Sequence, residues 1–207
     1  MDMQEDYQQR ILDDGFAIVE NVVTTGAVNM LRDSVASMPE GEQVRRKANI
    51  YGVRNLLETN RGVRRLAASP EIRSLVEPIL GVGYIAGRAT FFDKVPDANW
   101  TLRLHQDGVI SVKERIETPG FSAWSTKAGT LQVRPPESVL QQMLSIRVHL
   151  DDCPKENGAL RVLVGSHCRQ WRREQIPDCK SEFDEVVCEV GQGGVLAMRP
   201  LILHASS

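Results

Sequence analysis

The stretch EVVCEVGQGGVLAMRPLILH, residues 185–204, decides how this chain folds. Glu185–Val190 is a short β-like run. Gly191-Gln192-Gly193-Gly194 is a turn signal, Gly194–Met198 a second apolar run, and Leu201–His204 a third that ends on a histidine. Short strands with such glycine punctuation belong to a sandwich or barrel. A polar side chain closing an otherwise apolar strand is expected to face an interior cavity, or else to be a core histidine satisfied by backbone.

Working back along the chain, the same pattern holds from Tyr84 onward. Candidate strands lie at Tyr84–Val95, Trp100–His105, Leu144–Leu150 and Ala159–Val164, with turns at Pro96-Asp97-Ala98-Asn99 and Asn157-Gly158. Before Tyr84 the period is helical. Asp6–Asp14 is stopped by Gly15, and Phe16–Val19 is a short strand candidate. Thr24 or Thr25 caps a helix with Val28, Leu31, Val35 and Met38 on one face, ended before Pro39. Ser69-Pro70-Glu71 is a cap, a first-turn proline and an early acid; it opens a helix carrying Leu75, Val76, Ile79 and Leu80, closed by Gly81. The expectation is an α+β, mainly β chain: one domain over residues 1–207, helical to about residue 82 and a jelly roll from about residue 83, the helices layered on one sheet. The long segment Val109–Glu137 reads as a loop insertion, and loops of that length are often functional lids. Its Phe121, Trp124, Gln132 and Arg134 suggest a small organic substrate with a polar handle.

Composition excludes several classes. A net charge of −2 supplies no field for nucleic acid, and the 42% apolar and 25% charged fractions are ordinary for a globular domain. Arg45-Arg46-Lys47, Arg64-Arg65 and Arg172-Arg173 read as solvated faces. No apolar run approaches the roughly 20 residues that span a bilayer, and the acidic start resembles no leader peptide. A cytoplasmic protein without membrane or nucleic-acid partners is expected, of unknown oligomeric state. Cys153, Cys168, Cys179 and Cys188 form no C-x-x-C pair, so free thiols are expected rather than a zinc site.

The four histidines are His105, His149, His167 and His204. His105-Gln106-Asp107 follows a strand, where residues i and i+2 share a face, so imidazole and carboxylate can converge on one metal. With a histidine from a distant strand they would make the two-histidine, one-carboxylate set of non-haem Fe(II) oxygenases. Alone the motif is weak, since a chance H-x-D arises in roughly one chain in four. His149-Leu150-Asp151 has the same spacing and competes with it. His167 reads as a loop residue.

Taken in order, several segments resemble the phytanoyl-CoA dioxygenase family of Fe(II)/2-oxoglutarate oxygenases. Asp14–Val19 resembles its opening D-G-[YF] strand, Phe91–Pro96 its lysine-bearing strand, and Leu104-His105-Gln106-Asp107 its H-Q-D. Glu156–Leu160 with Val164–His167 resembles its D-N-G-x-L…P-G-S-H, Val164 standing for the proline, and Gly193–Ser207 its distal-histidine strand. The resemblance implies a double-stranded β-helix, cupin-like core. It implies Fe(II) held by His105, Asp107 and His204, with 2-oxoglutarate and O2 as co-substrates. It puts His149 and Asp151 on the strand leading into the Asn157-Gly158 turn, where Arg147 and His149 share a face, so that one or both are expected to line the pocket without binding iron. Lys94 and Ser206 fall beside the co-substrate carboxylates, and Arg147 falls where some relatives carry a tryptophan. Relatives also have an arginine about ten residues past the distal histidine, suited to a bidentate carboxylate contact. The sequence ends at Ser207, so a chain shortened there, one strand short, is expected.

The activity so implied is hydroxylation of a small molecule. A retained Asp107 argues against a halogenase. Two other classes remain open: a metal-dependent cupin-type hydrolase or isomerase, since the same donors suit zinc with one open position, and a non-catalytic jelly-roll binding module.

Overall fold

Two antiparallel sheets face each other across an apolar interior in the computed structural model, which describes residues 3–39, 44–46, 50–93 and 102–206. In chain order the elements begin with α1 (Met3–Asp13), β1 (Phe16–Val19), α2 (Thr25–Ala36), β2 (Val44–Arg46), β3 (Ile50–Val53), α3 (Leu56–Thr59), α4 (Arg61–Ala67) and α5 (Pro70–Leu80). They continue with β4 (Phe91–Phe92), β5 (Leu102–His105), β6 (Ile110–Val112), β7 (Ser122–Lys127), β8 (Thr130–Arg134), α6 (Glu137–Gln141) and β9 (Ser145–Val148). The last are β10 (Leu160–Leu163), α7 (Ile176–Cys179), β11 (Glu185–Cys188), β12 (Val195–Met198) and β13 (His204–Ser206).

One main sheet has the order β1-β12-β9 and the other β11-β10-β13-β5. The period-two alternation of these strands decides what faces inward. Phe16, Ile18, Leu196 and Met198 meet Leu160, Val162, Cys188, Val190 and Ile202 between the sheets. The intervening Ala17, Val19, Val195, Ala197, Ile146 and Val148 face the other way, against Tyr7 and Ile11 of α1 and Ile72, Leu75 and Val76 of α5. The expected helical layer on one sheet of a cupin-like jelly roll is therefore present. The outer face of the second sheet is covered by Trp171, Ile176, Cys179 and Phe183 over Leu104, Leu163 and Leu203.

Local chemistry explains the helix ends. Thr24 and Ser69 accept hydrogen bonds from the backbone N–H of Ala27 and Ile72, as side chains at N-caps do. All four cysteines are free thiols. Among the described residues no helix is long and apolar enough to cross a membrane.

The structure departs from the sequence reading in four places. Residues 84–90 form no strand; Ile85 is 88% exposed, so the run has no surface to pair against. Val109–Glu137 is not a bare loop but holds a three-stranded sheet, β6-β8-β7, and most of it is regular. A further small sheet, β2-β3-β4, and the helices α3 and α4 sit inside the N-terminal part. His204 opens β13 rather than closing a strand, because Leu201–Leu203 turn in a fully buried corner. Lys94, the Pro96–Asn99 turn, Trp100 and Ser207 lie outside the described residues.

Candidate metal centre

His105 ends β5 and His204 begins β13, and the two are direct cross-strand partners. Their rings lie 4.3 Å apart between centroids, tilted by 49°. Asp107, two residues past His105, is carried round by a turn in which its N–H donates to the Pro200 carbonyl at 2.9 Å. One ligand atom from each of the three residues falls within a 4.8 Å group. This is the set that the resemblance singles out, and the chain brings it together from two strands and one turn.

The two imidazoles are oriented alike. His105 Nδ1 lies 2.8 Å from the Arg103 carbonyl and His204 Nδ1 3.0 Å from that of Ile202. A carbonyl only accepts, so each Nδ1 carries the proton and each Nε2 keeps its lone pair for a metal. Backbone carbonyls on the far ring nitrogen are the usual outer support of a ligating histidine. Burial pushes the His204 imidazolium well below its ordinary range, against the pull of Asp107, so His204 is neutral.

The rival pair does not converge. His149 is buried, with Nδ1 lacking a partner, and burial together with the Arg147 charge lowers its pKa to about 4. Asp151 turns outward into an ion pair with Arg32 at 2.9 Å. The end of the strand separates them, because β9 stops at Val148 and the chain leaves the sheet before Asp151.

Two expected co-substrate contacts face the same interior. Arg147 pairs with Leu196, so it points between the sheets. Among the described residues it makes no hydrogen bond or ion pair, and burial lowers its pKa against the opposing fields of Cys153 and Asp107. Ser206, on the His204 face, is 1% exposed with an unpartnered Oγ. A register shift falls between His204 and Ser206. Lys94 cannot be placed, being outside the described residues.

Sequence reading missed the residues that hold this frame. Gln106, the middle of the H-x-D, points away from the metal ligands. Its Nε2 donates to the carbonyls of Arg169 and Leu201, and its Oε1 accepts from Trp171 N–H at 2.8 Å. Ser166 Oγ donates to the Leu163 carbonyl at 2.6 Å and accepts from Leu203 N–H at 2.9 Å, beside His204. His167 bonds the Leu12 carbonyl through Nε2, and its ring lies where any Cβ on Gly15 would stand, so Gly15 is required there. The signal for Gln106 was present in the alternation; that for Ser166 was not.

Comparison with known proteins agrees with this geometry. No curated protein matches the chain. Among solved structures it is similar to EctD from S. alaskensis with 2-oxoglutarate and 5-hydroxyectoine (TM-score 0.73, 15% identity, 100% of this chain and 70% of that one). It is also similar to SnoN, a non-haem alpha-ketoglutarate-dependent epimerase from nogalamycin biosynthesis (0.68, 19%, 99% and 75%). SnoK, a carbocyclase of the same biosynthesis, gives 0.70, 16%, 100% and 78%. At such identities the likeness is one of fold. The Phytanoyl-CoA dioxygenase (PhyH) family model, however, matches residues 11–207, nearly the whole sequence, and the chain belongs to that family.

Proposed function

We propose that the protein is a non-haem Fe(II)- and 2-oxoglutarate-dependent dioxygenase that hydroxylates a small organic molecule. The observation that carries this reading is the convergence of His105, Asp107 and His204 with both imidazole Nδ1 atoms tied to backbone. Two neutral imidazoles and a carboxylate suit Fe(II) and leave three neighbouring positions for a bidentate co-substrate and dioxygen. Iron bound there would activate dioxygen, one oxygen atom entering a substrate C–H bond and the other entering succinate as 2-oxoglutarate loses carbon dioxide.

The chain's own residues do the rest. Asp107 supplies the negative charge that retains the metal. Arg147 offers an unpaired guanidinium to a co-substrate carboxylate, and Ser206 Oγ donates beside it. Lys94 is assigned to the same task on sequence resemblance. The apolar wall of Leu160, Val162 and Leu196 keeps water from the reaction space.

The test is an anaerobic titration with Fe(II) and 2-oxoglutarate, followed by admission of oxygen. A weak charge-transfer band in the green, then oxygen-dependent succinate, is expected, and labelled dioxygen should appear in an alcohol product. Absence of both band and succinate would return the cupin-type hydrolase or the binding module. Since similar folds include an epimerase and a carbocyclase, succinate without an alcohol would assign another oxidative outcome to the same centre.

A further inference from the structure

The sheet inside the 109–137 insertion holds a buried hydroxyl with no partner beside a buried glutamine. Ser111 on β6 and Gln132 on β8 are direct cross-strand partners. Ser111 Oγ is buried without a partner, and Gln132, 4% exposed, makes no side-chain hydrogen bond among the described residues. Facing residues of an antiparallel pair lie about 4.5–5.5 Å apart at Cα, so the two could have satisfied each other. They do not. Buried polar groups are nearly always bonded, and an unmet buried hydroxyl in a native fold calls for a reason.

Three further features point to a ligand. Ser111 is four residues past Asp107, so its Cα lies within about 14 Å of that ligand's Cα whatever the path. Opposite Gln132 the edge strand β7 is bulged, since Ser122 pairs with Arg134 and Ser125 with Gln132. Inside the bulge Ala123 takes φ 52°, a left-handed conformation that is costly for a residue with a Cβ. Bulges and such strain gather beside functional sites, where they re-aim side chains.

Resting on the dioxygenase reading above, we propose that Ser111 and Gln132 form the prime-substrate subsite and take a neutral hydrogen-bonding group, a hydroxyl or a carboxamide. Glutamine offers two donors and an acceptor, and serine one of each kind, so the matching group both donates and accepts. Neither residue is charged. Arg134, on the same face two residues on, is exposed to solvent. A carboxylate seated between Ser111 and Gln132 would be buried without a fixed counter-charge, which is strongly disfavoured.

The experiment uses the full chain, wild type, Ser111→Ala and Gln132→Met, loaded with Fe(II) and 2-oxoglutarate under nitrogen. The probes are 1,2-cyclohexanediol, cyclohexanecarboxamide and cyclohexanecarboxylate, each titrated against the thermal midpoint. The two neutral probes should raise the wild-type midpoint at concentrations at least about tenfold below the carboxylate, and either variant should lose about that factor. Without probe, Ser111→Ala should not melt below wild type, since it removes an unmet buried hydroxyl. A lower probe-free midpoint in both variants would mean that the pair is structural, and would overturn the proposal. So would a preference for the carboxylate, no response to either neutral probe, or an equal response in all three proteins. Oxygen-dependent succinate from the wild type is read separately, and its absence would count against the dioxygenase reading alone.

Discussion

Replacing Arg147 by methionine separates two roles that a buried guanidinium can have. The side chain points between the sheets opposite Leu196, has no hydrogen-bond or ion-pair partner among the described residues, and has its pKa lowered by burial. In the protein without co-substrate this charge opposes folding, and a methionine of similar length fills the space without it. The midpoint of Arg147→Met should therefore equal or exceed that of wild type. Co-substrate binding should move the other way. A hydrogen bond to a charged group contributes about 1.5–3 kcal/mol, so the Kd for 2-oxoglutarate should rise about 10- to 150-fold. Anaerobic calorimetry with Fe(II) present reads both numbers on one sample. If Arg147→Met binds 2-oxoglutarate within about twofold of wild type, the guanidinium is not the carboxylate's partner. If the variant melts several degrees lower, Arg147 is structural and the reasoning from its unmet donors fails.

Three other outcomes are expected. His105→Ala and Asp107→Ala should each abolish iron retention, while His149→Ala stays near wild type, because Asp151 is engaged with Arg32 and His149 cannot recruit it; equal iron loss by metal analysis in all three variants would refute the assignment. His149 is held neutral with a folded pKa of about 4. Its folded value lies below the unfolded value of about 6.5, so its contribution is complete above the latter and is lost as pH falls toward the former, with a ceiling of about 3 kcal/mol. Denaturant melts from pH 7 to pH 4 should thus show a shallower decline in His149→Phe than in wild type, and parallel curves would refute it. Lys94→Ala should raise the apparent KM for 2-oxoglutarate about tenfold or more with little change in iron affinity; an unchanged KM removes Lys94 from the co-substrate site.

Much of the fold was legible because its signals are local. Ser69-Pro70 starts α5 through a cap and a proline whose missing N–H needs no partner, and Phe16–Val19 is a strand because both of its faces find apolar cover. The metal ligands were legible only from the order of several weak motifs, since residue spacing does not separate His105-x-Asp107 from His149-x-Asp151. What separates them is the turn after Val148, which sends Asp151 to Arg32. The sheet in residues 109–137 was missed because β6 has only three residues and β7 is mostly polar, so their alternation is faint. The corner at Leu201–Leu203 was misread as a strand for the opposite reason: three buried apolar residues look alike in a strand and in a turn held by Ser166 Oγ.

The antiparallel pairing of β1 with β12 joins Phe16 to Met198 and Val19 to Val195. A ribosome must therefore deliver the whole stretch from Val19 to Val195 before β1 acquires its neighbour. Until then β1 has no sheet, and the apolar face of α1 can meet only α5. Contacts of such long sequence separation close slowly, since loop entropy is spent before any pairing is gained. His204, the proposed ligand, emerges later still, so the proposed metal centre cannot assemble before this stretch is made. Deleting the first 20 residues would bare one edge of β12, and an unpaired edge of that kind invites the same strand from another molecule.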